Sequence, residues 1–186
     1  MMKIYPATLA NTDDIVALNE TFVTVTSPMD ASRFKHLFDI SSLCLVAENE
    51  GKIVGFMLAM IQGDAYENDN FQWFNDRLNR YIYIDRIVIS EDGRGHGIGS
   101  QLYAYVIDWA QQQGLLQISA EMDLMPPNED SLKFHQERGF VAIGSRVLDS
   151  GKTVSMQVKT SDFSEASWPL QTLYKASNLV FVYFHI

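Results

Sequence analysis

The chain has 186 residues, 47% hydrophobic and 20% charged, the composition of a globular protein long enough to bury a substantial core in one domain. Its 14 Lys and Arg against 23 Asp and Glu give a net charge of −9, which argues against nucleic acid or an anionic membrane surface as the main partner. A cationic or amine-bearing partner fits better. The lone cysteine, Cys44, excludes an internal disulfide and points to a reducing, cytoplasmic setting. No apolar run approaches the ~18–20 residues of a membrane helix, and the opening "MMKIYPATLANTDD" lacks the apolar core of a secretory leader.

In chain order, "MKIYPATL" predicts a short strand closed by Pro6. "NTDDIVALNETFV" follows as a helix with Asn11 or Thr12 at its cap and Ile15, Leu18 and Phe22 along one face. A second helix is expected around "SPMDASRFKHLFDI", bringing Phe34, Leu37 and Phe38 together. "LCLVAEN" and "KIVGFMLAMI", split by Glu50-Gly51, read as a hairpin. Within the polar and aromatic stretch "QGDAYENDNFQWFNDRLNR", Phe71, Phe74 and Leu78 recur at helical spacing and predict a short helix.

"YIYIDRIVI", Tyr81–Ile89, is the strongest strand in the chain. Beyond it Ile98, Leu102, Tyr105, Val106 and Trp109 step by helical turns until Gly114 stops them. "LLQISAEMDL" predicts a strand, and "PPNEDSLKFHQERGF" a helix capped by Asn128 with Gly139 just past its end. "FVAIGSRVL" and "KTVSMQVKT" form a final hairpin around Asp149-Ser150-Gly151. The order makes the protein α/β, and its hairpins rule out an all-parallel sheet.

The stretch "GRGHGIGS", Gly93 to Ser100, joins the strongest strand to a helix. Free amides at a helix start, the positive end of its dipole, glycines that admit a bulky anion and the charge of Arg94 together describe a phosphate cradle. A P-loop fails because Ser100-Gln101, not Lys-Ser/Thr, follows Gly99. G-x-G-x-x-G fails too: its sixth position is Ile98 from Gly93 and Ser100 from Gly95. R-x-x-G-x-G is satisfied by Arg94, Gly97 and Gly99, with Gly95 and Ile98 as fillers.

On that motif, the "PAT…DD…I…LN" opening and the "NEDSLKFHQERGF" helix, the chain resembles the GCN5-related N-acetyltransferases from about residue 3 to 160. The resemblance implies a mixed, mostly antiparallel sheet flanked by helices, splayed between strands Tyr81–Ile89 and Leu116–Leu124. It implies acetyl-CoA as co-substrate and no metal. The pantetheine arm would pair with Ile87, Val88 and Ile89, and the pyrophosphate would rest on the amides of Arg94, Gly95, His96, Gly97, Ile98, Gly99 and Ser100. Asn128 and Ser131 match positions that hydrogen-bond the arm, although a helix cap accounts for them equally well.

Acetyl transfer to an amine needs a base, a donor for the oxyanion and an acid or solvent for the thiolate. The family's backbone donor falls on Val88 or Ile89. Where many relatives carry a tyrosine as the acid, this chain has His135, which reads either as that acid or as a helix-face histidine with no proton role. Tyr103 and Tyr105 are other candidates, already explained by helical amphipathicity. Asp85 and Glu121 are the candidate bases. Alternation places Asp85 with Tyr83 and Ile87, and Glu121 with Ser119 and Asp123. Either carboxylate reads equally as a structural partner, Asp85 beside Arg86 above all.

The expected function is N-acetyl transfer from acetyl-CoA to a primary amine of a small molecule or peptide, by direct attack in a ternary complex. The other readings are a non-catalytic acyl-CoA sensor and a nucleotide-binding oxidoreductase. Around residues 62–80, Tyr66 and Trp73 with Asp64, Glu67 and Asp69 read either as a lid that greets the amine or as an aromatic loop packed on the core. Residues 161–186 form an extension whose apolar end, Leu179 to Phe184, is expected to pack on the domain or in a homodimer.

Overall fold

The computed structural model describes residues 1–23 and 26–160; the expectations placed on residues 161–186 lie outside the described residues. One seven-stranded sheet organises the chain, in the order β1-β2-β3-β4-β5-β7-β6. Its strands are β1 (Met2–Pro6), β2 (Leu43–Asn49), β3 (Lys52–Ile61), β4 (Tyr81–Ile89), β5 (Gln117–Met125), β6 (Val141–Val147) and β7 (Thr153–Thr160). Among the described residues five α-helices flank it: α1 (Thr12–Thr21), α2 (Ala31–Ile40), α3 (Asp69–Asn75), α4 (Ile98–Gln112) and α5 (Glu129–Gln136). Neighbouring strands are antiparallel except β4 and β5, which α4 joins as a parallel crossover. The parallel order of a dinucleotide-binding sheet is not present.

The local signals explain the elements. Glu50 and Gly51 both take positive φ (53° and 83°), the geometry of the tight turn that lets β2 and β3 pair. Asp30 caps α2 by accepting the Arg33 amide at 2.7 Å, and Asn128 caps α5 through the Ser131 amide at 3.1 Å. Asn11 precedes α1, but its side chain accepts the Thr8 amide instead.

The sheet separates two apolar layers. One packs Ile15 and Leu18 of α1, Phe34 and Leu37 of α2 and Phe71 and Phe74 of α3 against Phe56, Tyr81 and Tyr83. The other packs Ile98, Leu102, Tyr103 and Val106 of α4 against Ile82, Ile84, Ile118 and Ala120. No described helix is long and apolar enough to cross a membrane.

Alternation along β4 does not run through unbroken, which corrects one expectation. Leu58 of β3 pairs with Arg86 and the adjacent Ala59 with Ile84, so Asp85 is an extra residue bulged out of the ladder. Tyr83 therefore shares a layer with Val88, whereas Ile87 lies in the opposite layer with Ile82 and Ile84. Asp85 and Arg86 end up on the same side of the sheet, that of α1–α3.

Candidate active site

The loop between β4 and α4 has the form of an anion cradle. Ser90 accepts the Gly93 amide on its hydroxyl at 3.1 Å and closes a turn over Glu91–Gly93. Gly95 and Gly97 take φ of 77° and 71°, which side-chain-bearing residues rarely adopt. Gly93 and Gly99 are glycines for space: a Cβ would sit 2.9 Å from Ile98 in the first and 3.0 Å from the Phe134 ring in the second. The first main-chain bond of α4 runs from the Gln101 amide to the Gly97 carbonyl at 3.0 Å, leaving the amides of Ile98, Gly99 and Ser100 at the helix start for another acceptor.

Around the cradle, Arg94 and His96 are exposed, with the Arg94 guanidinium 5.5 Å from the Phe22 ring centre and His96 Nδ1 2.9 Å from the Arg94 carbonyl. The Ile98 side chain is buried in the core, so that residue offers its amide alone. Sequence reading missed one cation. Arg138 donates to the Ser100 hydroxyl and lies 3.3 Å over the Phe134 ring. No motif marked it.

The expected splay between β4 and β5 is present. Tyr81–Tyr83 pair with Gln117–Ser119, and beyond them no further pairing joins the two described strands. The edge left open can be read residue by residue. Ser90 donates its amide to Val54 of β3 at 2.9 Å, and the Val88 carbonyl comes within 3.1 Å of a Cβ placed on Gly55. Val88 thus turns its main chain toward β3. By alternation Ile87 and Ile89 turn theirs into the gap. Of the two residues expected to offer an oxyanion donor, Ile89 has its N–H on the open side.

At the fork stands Glu121. Its Oε1 accepts the Tyr83 hydroxyl at 2.9 Å and the Asn70 amide at 3.0 Å, while its buried Oε2 has no partner. Burial pushes the carboxyl up to about 7, against the lowering effect of the Asn70 and Tyr83 hydrogen bonds. The residue keeps some solvent contact although the carboxylate oxygen itself is buried. A group in this state takes up a proton near neutral pH, at Oε2.

Asp85 and His135 are engaged differently. Asp85 accepts from Arg86 Nε at 2.7 Å and from the Tyr66 hydroxyl, and its side chain is 5% exposed. Arg86 in turn donates to the Asn19 side-chain Oδ1 at 3.0 Å and to the Ser27 hydroxyl at 2.9 Å, tying α1 and the following segment to β4. His135 is buried, with Nδ1 2.7 Å from the Ser131 carbonyl and Nε2 2.6 Å from the Tyr103 hydroxyl. A carbonyl can only accept, so the proton sits on Nδ1 and Nε2 accepts from Tyr103. Burial lowers this imidazole to about 4, keeping it neutral.

The insertion between β3 and β4 packs as aromatic core more than as an open lid. Tyr66, Phe71 and Phe74 are buried, and Asp64 serves the turn by accepting the Ser42 hydroxyl and the Ile61 amide, each at 2.8 Å. Its contribution to the site is Asn70, a residue that the sequence reading passed over because its signal is a helix start.

A loop with the form of an anion cradle follows the open edge of β4, and a carboxyl raised to about 7 stands on β5 past the point where the two strands part. No curated protein matches the sequence. Among solved structures, a GNAT-family acetyltransferase from Streptococcus pneumoniae is similar at 21% identity and TM-score 0.66, covering 86% of this chain and 99% of its own. The ribosomal-protein-S18-alanine N-acetyltransferase from Escherichia coli shares 13% identity at TM-score 0.66, covering 86% and 94%. A protein from Salmonella typhimurium, solved with its cofactor acetyl-CoA, shares 18% identity at TM-score 0.66 over the same shares. The family model described as "Acetyltransferase (GNAT) family" matches residues 13–140, most of the chain, and the protein belongs to that family.

Proposed function

We propose that this protein transfers the acetyl group of acetyl-CoA to a primary amine of a small molecule or peptide, by direct attack with both substrates bound. The observation that carries the reading is Glu121, a carboxylate with an unpartnered Oε2 just past the point where β4 and β5 part. The Arg94 amide, expected in the cradle, is taken by the Glu91 carbonyl at 3.1 Å, so a pyrophosphate fits the amides from Gly95 to Ser100 with the Arg94 side chain beside them, and a pseudo-peptide arm fits the main chain of Ile87 and Ile89. Val88 supports that arm by holding β4 to β3. After the cap bond is made Asn128 keeps its side-chain NH2 for the same ligand, and the Ser131 hydroxyl, 3.4 Å from His135 Nδ1, keeps its O–H to donate.

Bound there, acetyl-CoA supplies an activated acetyl thioester. The chain supplies the rest: Glu121 takes the amine proton at Oε2, and the Ile89 N–H faces the developing oxyanion. Asp85 stays a buried partner of Arg86 in this reading. His135 serves the departing thiolate only in its other tautomer, with the proton on Nε2 and the bonds to the Ser131 carbonyl and the Tyr103 hydroxyl both released. The acidic composition favours a cationic acceptor, and the lone buried cysteine accords with a cytoplasmic setting. The homodimer rests on residues 161–186 and is read by mass in solution.

Calorimetric titration of acetyl-CoA tests the coenzyme site, with Gly97→Trp as the blocked control. Saturable binding lost in the variant, with its circular dichroism unchanged, supports the reading; no binding by the intact protein defeats it. The engagement of His135 by Ser131 and Tyr103 favours a second reading, the non-catalytic sensor. Binding without turnover over a panel of amines would select it.

A further inference from the structure

Asn70 stands between a cation and the proposed base. Arg146 of β6 places Nη1 2.7 Å from Asn70 Oδ1, and Asn70 Nδ2 lies 3.0 Å from Glu121 Oε1. A guanidinium has donors and no acceptor, so the amide oxygen must face Arg146 and the amide nitrogen must face Glu121. Trp73 of α3 lies against Gly144 of β6, where a Cβ would come within 2.8 Å of the ring, so β6 carries both the packing surface and the charge that set α3.

We propose that Arg146 is a positioning residue for Glu121: by holding the Asn70 carbonyl it commits the Asn70 N–H to Oε1 and leaves Oε2 as the atom that takes the proton. The inference rests on the reading of Glu121 as the base. The asymmetry between the two carboxyl oxygens is its chemical content. With two donors on Oε1 and none on Oε2, the charged form is held in place without being over-stabilised. A free Asn70 could turn its carbonyl toward Glu121, which favours the protonated acid and weakens the base.

The other groups facing Glu121 are accounted for. From β4 come the Tyr83 hydroxyl and the Asp85 carboxylate, the latter paired with Arg86; from α4 comes Tyr103; from α3 comes Asn70; β7 sets Met156 opposite Glu121. Asp69 lies 3.9 Å from Arg146 and is largely exposed, so it competes little for the guanidinium.

The test follows the acid limb of the kcat profile with acetyl-CoA and an accepted amine, together with a carbon-13 titration of the Glu121 carboxyl assigned by its loss in E121Q. R146M should move both upward by about one pH unit, a tenfold loss of rate below the limb. R146K, another donor without acceptor, should restore the wild-type limb. N70L, which keeps Arg146 but removes the donor, should shift as R146M does and serves where R146M fails to fold. Unchanged limb and carboxyl titration in N70L would overturn the inference, as would a shift in R146M that N70L does not share. If E121Q keeps the acid limb, the reading of Glu121 as base fails instead, while the carbon-13 shifts still judge the role of Arg146.

Discussion

Two carboxylates on adjacent central strands meet different fates because of the atoms around them. Asp85 has both oxygens held by Arg86 and Tyr66, and Arg86 is held in turn by Asn19 and Ser27. Removing one member of such a buried pair leaves an uncompensated charge, at a cost of about 3–5 kcal/mol. Asp85→Ala should therefore lower the melting temperature sharply, whereas Glu121→Gln should not. The pH dependence separates them further. Glu121, raised from 4.5 to about 7, stabilises the fold below pH 4.5 and loses that contribution as pH rises through 7. His135, lowered from 6.5 to about 4, contributes above pH 6.5 and loses its contribution as pH falls through 4. The two slopes oppose each other in the mildly acid range. Melting curves of Glu121→Gln should match or exceed wild type at pH 8 and fall more steeply toward pH 4; parallel curves would refute these titrations.

Among elements, α3 and the bulge in β4 shape the site most. Without the bulge, Asp85 would alternate in step with Ile87, and the Asp85–Arg86 pair would not lie together beneath α1. α3 depends on Gly144, whose φ is ordinary and whose lack of a side chain is what admits Trp73. Gly144→Val should push the ring off β6 at a cost of roughly 1–3 kcal/mol. The expected signs are a lower melting temperature and a red-shifted emission that Trp73→Phe removes. An unshifted spectrum would mean that α3 docks without this contact. The short helix was legible from the spacing of Phe71, Phe74 and Leu78, although it ends at Asn75, before Leu78; its contact with β6, which joins residues far apart in sequence, was not.

Across the whole molecule, the sheet is continuous on one side of β4 and open on the other. Val88 already points its amide at β3, while Ile87 and Ile89 point theirs into the gap. Acetyl-CoA should therefore slow hydrogen exchange at Ile87, Ile89 and the amides from Gly95 to Ser100, leaving Val88 unaltered. At about a hundred times its dissociation constant it should also stabilise the fold by about 2.7 kcal/mol. Equal slowing at Val88 would contradict the alternation.

The division between sequence and tertiary structure follows from the range of the interactions. Helix caps, the Glu50-Gly51 turn, the glycine loop and apolar periodicity are local, so the residues alone determined the elements, their order, the cradle and the α/β class. The hairpin pairs β2-β3 and β6-β7 follow from those signals, but the place of β1 beside β2 and of β7 between β5 and β6 does not. Which face a residue occupies past a bulge, which group meets the second nitrogen of His135 and which way Asn70 turns depend on partners distant in sequence, Tyr103 lying 32 residues from His135 and Arg146 76 residues from Asn70. Those contacts carry no periodic signature. Only the folded chain decided that Asp85 is spent on Arg86, that Tyr103 occupies His135, and that Glu121 keeps one oxygen free because Arg146 sets the direction of Asn70.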